Sequence, residues 1–283
     1  MTQRYIIGIG AQKAGTTWLA DYFSHHPEIF MSPIKELHFF DVKYRPDLCK
    51  GFEARMKRDF KALRDNKPDL NKAKRIRLNA LHGRVRMNGD LEKYQEYFAK
   101  RAKPGQVLCE ITPEYALLDN EGFSAIRSLA DDVRVIFLMR NPVDRFWSAL
   151  RMWNKKHPEA KTIDRIDDFL VNPQFVGRTN YQKTVETIHQ VFSPANIFIG
   201  FYENLFTSES LKKICDFSGI AYIEPDFDKR VHEGVQKGMD TEIREKILRH
   251  FGPIYEWGYG LYGEELPASW LDDLQVYKTL IKA

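Results

Sequence analysis

Three short stretches of this sequence hold residue types that can act together in chemistry. Gly10-Ala11-Gln12-Lys13-Ala14-Gly15-Thr16-Thr17 sets two glycines at the spacing of the phosphate-cradling pattern GxxxxGK[ST], with Thr17 in the hydroxyl position. The lysine of that pattern is displaced. Thr16 holds its place, and Lys13 stands earlier in the loop. Such a loop still wraps an anion in backbone N–H groups at a helix N-terminus. Lys13 would reach a transferring group from a different direction than the lysine that holds β- and γ-phosphates in nucleoside triphosphatases. Arg140 ends an apolar run, and Ser148 follows two helical turns on, so a guanidinium fork and a hydroxyl can grip a second anion. Taken singly, Arg140 is better explained by an ion pair with Asp144 or Asp21, and Ser148 by packing. The third stretch, Pro33 to Asp41, offers Glu36, His38 and Asp41. A carboxylate or imidazole within reach of an O–H is a general base, worth about 10²–10⁴-fold in rate. A cation such as Lys13 at the leaving oxygen stabilises the charge that develops there. Glu36 beside Lys35 also reads as a plain surface ion pair.

These groups need a scaffold that brings them to one edge. Tyr5–Ile9 is a short apolar run ending at Gly10 and reads as a buried strand. Thr16–His26 has Trp18, Leu19, Tyr22 and Phe23 at helical spacing, with Pro27 as the stop. Ile29–Met31, Gln106–Ile111, Val133–Met139 and Asn196–Tyr202 read as further strands. Phe123–Ala130, Pro142–Asn154, Tyr181–Phe192 and Ser208–Ser218 read as helices, Pro142 sitting where a missing N–H costs nothing. Thr241–Phe251 is expected to be the last helix. Strands alternating with helices imply an α/β fold, a central parallel sheet flanked by helices on both faces. Ligands in such sheets bind outside the carboxyl ends of the strands, where both anion stretches fall. With no repeat and no linker, residues 1–283 read as a single domain. Residues 43–105 look like a helical insertion between core strands, a cover on the acceptor side.

The stretches QKAGTTWL (12–19) and RNPVDRFWS (140–148) together resemble the sulfotransferase family that uses 3′-phosphoadenosine 5′-phosphosulfate (PAPS). The resemblance implies a P-loop-like sheet, PAPS as donor and 3′-phosphoadenosine 5′-phosphate (PAP) as product. It implies that Gln12, Lys13, Ala14, Gly15, Thr16, Thr17 and Trp18 bind the donor's 5′ side. It gives the 3′-phosphate to Arg140 and Ser148. Lys237-Gly238 resembles a late loop over the nucleotide, and Tyr181 falls at another family landmark. PIKELHFFD (33–41) resembles the KE-x-HFFD stretch of the carbohydrate, heparan-type branch. There the glutamate is the base, which implies Glu36, with His38 and Asp41 orienting the acceptor. Relatives acting on phenols and steroids use a histidine base, so His38 is the second candidate. CEITPEY (109–115) resembles EKTPxY, but Ile111 replaces the lysine, and Met239 stands where an arginine often follows the Lys-Gly pair. The implied acceptor bears a hydroxyl, on a carbohydrate, lipid or other small molecule, and no metal is expected. Two other readings stay open. An ATP-dependent small-molecule kinase would need a lysine at position 16 and a metal-holding Asp after Val135–Met139. A non-catalytic nucleotide-binding protein would keep the anion sites and lose the base.

Composition narrows the class further. Hydrophobic residues at 43% and charged residues at 29% match ordinary globular chains and exclude disordered or fibrous ones. The longest late apolar run, Val135 to Met139, is far too short for a membrane span. The N-terminal apolar run is broken by Gln12 and Lys13, unlike a signal peptide. Three scattered cysteines with no metal spacing imply a reducing, cytoplasmic setting. Net charge is +4, yet residues 53–103 hold 16 Lys/Arg against 7 Asp/Glu. Such a segment fits an anionic partner or a solvated helical face. No nucleic-acid partner is expected.

Overall fold

A computed structural model describes residues 3–66, 70–227 and 238–282. Five strands form one sheet: β1 (Arg4–Gly10), β2 (Ile29–Met31), β3 (Val107–Ile111), β4 (Asp132–Met139) and β5 (Ile197–Phe201). Their order is β2-β3-β1-β4-β5, and every pairing is parallel. The central strands are buried along their length because helices cover both faces, which is why they read as continuous apolar runs. The expected α/β architecture is what forms.

The order places β1 between β3 and β4, so three strands release their loops side by side. Gly8 is in register with Ile111 on one flank, and Gly10 with Phe137 on the other. Gly8 is required by packing: a Cβ there would lie 2.7 Å from Ile111 Cγ1. Ile111, in the position where a lysine was expected from the resemblance, is thus a core residue packed on the β1 backbone.

The helices that position the site are α1 (Thr16–His25) after β1, α2 (Phe40–Tyr44), α3 (Phe52–Asp65), α4 (Lys72–Met87) and α5 (Leu91–Ala99) between β2 and β3, and α6 (Asn120–Arg127) after β3. α7 (Pro142–Lys156) follows β4. After it come α8 (Ile166–Leu170), α9 (Pro173–Val176), α10 (Tyr181–Val191) and α11 (Ser208–Ser218). The stretch read as an insertion is helical, as expected, and its inner face joins the core. Tyr94 and Phe98 of α5 pack on Tyr5 of β1, and Tyr94 also meets Phe39 and Phe40.

The C-terminal region differs from the sequence expectation. α12 does not end at Phe251 but runs Thr241–Tyr262 through Pro253, and α13 (Ala268–Leu280) follows it. Gly252 is a close-packing position: a Cβ there would come within 2.0 Å of the Tyr277 ring. Tertiary packing of α13 on α12 overrides the local breakers. Among the described residues, no helix is long and apolar enough to cross a membrane.

Candidate active site

The loop after β1 turns into α1 through Gly15, whose left-handed φ of 81° suits glycine. A Cβ there would also strike Leu205 at 2.5 Å. No carboxylate occupies the first turn of α1, so its N-terminal N–H groups and dipole are left to an outside anion. Lys13 also adopts a left-handed φ, 73°. Its carbonyl accepts a 3.0 Å hydrogen bond from Arg140 Nη1, which joins the two predicted anion stretches directly. Burial pushes the Lys13 ammonium below its usual pKa, and the nearby charges of Arg140, Arg151, Lys156 and Lys35 push it the same way. A half-buried cationic cluster therefore stands at the carboxyl ends of β1 and β4.

Arg140 does not form the ion pairs that its sequence neighbours suggested. Asp144 faces Arg244, Asp21 faces His25, and the Arg140 guanidinium lies 4.4 Å over the Tyr202 ring. Its Nε is buried with no partner among the described residues. Ser148 is half-buried on α7, two turns beyond. The turn between Arg140 and α7 is pinned by the helix that sequence reading missed. Asn141 caps α7 through a 3.2 Å bond from Asp144 N, donates to Asp273 Oδ2 of α13 at 2.8 Å, and accepts from Tyr255 at 2.8 Å. Glu203 accepts from the Asn141 backbone at 2.7 Å. Tyr181 is buried, and its hydroxyl donates to the Arg140 carbonyl at 2.7 Å.

Within the first loop, Gln12 and Thr17 are half-buried, while Ala14, Thr16 and Trp18 are buried. Trp18 stacks with Tyr22 at 6.0 Å and with Phe227 at 5.9 Å. Beside it opens a cleft of about 210 Å³ lined by Tyr22, His26, Ile223 and Pro225 together with the carboxylates Asp21, Glu224 and Asp226. Gly238 is exposed, and Lys237 lies outside the described residues.

The segment after β2 brings Glu36, His38 and Asp41 beside the same edge. Glu36 and His38 take left-handed φ values of 63° and 50°, uncommon for such residues. Three ties hold this turn. Glu36 N donates to Ile111 O at 3.2 Å, and Arg84 of α4 donates to the carbonyls of Leu37 and His38 at 2.6 and 2.8 Å. The buried Arg84 also pairs with Glu53 at 2.7 Å. His38 Nδ1 contacts Asp41 Oδ2 at 2.6 Å, and Cys49 donates to the same oxygen at 3.2 Å. Lys35 bonds Glu36 Oε1. Burial alone would raise the Glu36 pKa, but the neighbouring His38 imidazole and the Lys35 ammonium outweigh it and hold the carboxyl well below its usual range. Burial alone would lower His38, but the Asp41 carboxylate at 2.6 Å, with Cys49 and Glu36 close by, outweighs it and holds the imidazole well above its usual value.

One residue of this centre had been given no role. Glu114, just after β3, accepts from Gln12 Nε2 at 3.2 Å, lies 3.7 Å from Arg178, and places Oε2 3.9 Å from His38 Nε2. It bridges the phosphate loop and the base segment. Its partners lie far away in the sequence and meet it only through the β1–β3 pairing, so no local signal marks it.

Comparison with known proteins bears on the fold and the family. A sulfotransferase from Alicyclobacillus acidocaldarius superposes with a TM-score of 0.63 at 20% identity, covering 95% of this chain and 99% of that one. The sulfotransferase domain of the Synechococcus PCC 7002 olefin synthase gives 0.51 at 18% identity, over 99% and 94% of the two chains. The sulfotransferase domain from the curacin biosynthetic pathway gives 0.51 at 19%, over 83% and 81%. These likenesses bear on fold. No curated protein sequence matches. The sulfotransferase domain family itself matches residues 3–246, a span that takes in the loop at 10–17, residues 33–41 and the Arg140 turn alike. The chain belongs to the sulfotransferase family.

Proposed function

We propose that this enzyme transfers the sulfuryl group of PAPS to a hydroxyl of a carbohydrate, lipid or other small molecule, with Lys13 at the donor and Glu36 as base. The observation that supports this reading is the joining of the two anion stretches, Arg140 Nη1 donating to the Lys13 carbonyl at 3.0 Å beside the open N-terminus of α1. A helix N-terminus flanked by a lysine and an arginine suits a multiply charged anion. A donor with phosphates at both ends of its ribose meets two such places, the α1 N-terminus and Arg140 with Ser148.

In the reaction the acceptor oxygen attacks sulfur, and the bond from sulfur to the bridging oxygen breaks. The electron pair leaves on the 5′-phosphate of PAP, where the Lys13 ammonium stabilises it. The acceptor proton passes to Glu36. His38, held charged by Asp41, has no free lone pair for that proton, so its role is to orient Glu36 and the acceptor. Glu36 is ionised, as a base must be, but weakly basic, so proton transfer comes late, once sulfur–oxygen bond formation has made the hydroxyl acidic. Residues 43–105 form the acceptor-side wall, with the Phe52 ring 4.2 Å from that of His38.

Two results are expected. PAP should raise the melting temperature far more than ATP at equal concentration. A hundredfold excess over Kd adds about 2.7 kcal/mol of stability. An equal or larger shift with ATP would contradict the donor assignment. Activity should also survive EDTA, since protein cations take up the donor's charge. A loss restored by Mg²⁺ would favour phosphoryl transfer instead.

A further inference from the structure

Around His38, three side chains share one arrangement. Each has one polar atom fixed from outside and another that faces a common point with no hydrogen-bond partner among the described residues. Lys35 holds Glu36 Oε1 and leaves Oε2. Asp41 holds His38 Nδ1 and leaves Nε2. Gln12 and Arg178 hold Glu114 Oε1 and leave Oε2, which is buried without a hydrogen-bond partner among the described residues. His38 is itself 8% exposed. Its Nε2 lies 3.8 Å from Glu36 Oε2 and 3.9 Å from Glu114 Oε2, too far for hydrogen bonds. A ring nitrogen of His38 and one oxygen from each glutamate all fall within 4.8 Å of one another.

We infer that Glu36, His38 and Glu114 form a binding site for a divalent transition-metal ion, which regulates the enzyme by silencing its base. A point between the three atoms lies roughly 2.5 Å from each, against about 2.0–2.2 Å for zinc to imidazole or carboxylate. A small inward rotation of the two glutamates closes that gap. An Asp–His pair behind the metal-facing nitrogen is the outer support that metal-binding histidines ordinarily have. Binding displaces the proton on Nε2 and occupies the free oxygen of Glu36. The ion binding stands on this geometry; its inhibitory consequence rests on the proposed role of Glu36.

Zinc is the probe. The full-length protein, competed against a chromophoric chelator, should take up one equivalent of Zn²⁺. Glu114→Gln and His38→Gln should abolish that uptake, and Asp41→Asn should weaken it about 10–100-fold. Each variant's thermal shift with PAP checks that it has folded, and a PAP shift absent from wild type itself would count against the donor reading alone. No stoichiometric zinc in wild type, or zinc retained in both Glu114→Gln and His38→Gln, overturns the site. Loss in Cys49→Ser with retention in Glu114→Gln would do so too, by moving the ion to His38, Asp41 and Cys49.

Discussion

Glu36→Gln is expected to lower kcat by about 10²-fold or more while leaving PAP affinity nearly unchanged. The amide keeps the shape and cannot accept the proton. Lys13→Ala should lower kcat by a similar order, because the charge on the leaving phosphate loses its counterpart, and should also weaken PAPS binding. The other cations near Lys13 remain, so binding should weaken rather than vanish. His38→Ala should cost less than Glu36→Gln. The measurements are kcat for the three variants and PAP affinity by calorimetry. A near-normal Glu36→Gln with an inactive His38→Ala would make histidine the base.

The second large effect is structural and reaches the site from a distance. Arg84→Leu should destabilise the fold by about 1–3 kcal/mol for each buried carbonyl left without a donor. Those carbonyls belong to Leu37 and His38, inside the turn that carries Glu36. The urea midpoint should fall and kcat with it, while PAP still stabilises whatever remains folded, because the donor loop lies on other strands. A wild-type midpoint would mean that the α4 contact does not hold the turn.

Much of this site was legible in the sequence because its signals are local. The phosphate loop announces itself by glycines between an apolar strand and an amphipathic helix. His38 and Asp41 are three residues apart, and they meet across the beginning of α2. What was not legible depends on register and packing. Glu114 reaches Gln12 only because β3 lies beside β1, and Arg84 reaches His38 only because α4 folds back over the base segment. The final helix was missed although Trp270, Leu274 and Tyr277 repeat at helical spacing and are buried. The helix expected to end at Phe251 runs on, because Gly252 is a contact point for Tyr277 and Pro253 is carried within a packed helix.

The most direct measurement is transfer itself. Wild-type protein is incubated with PAPS and a library of hydroxyl-bearing acceptors, and products are read by mass spectrometry, with ATP in a parallel arm. The account predicts an acceptor whose mass rises by one SO₃, with PAP formed in equal amount and the gain lost in Glu36→Gln. Phosphate gain in the ATP arm, with no SO₃ gain from PAPS, would contradict it.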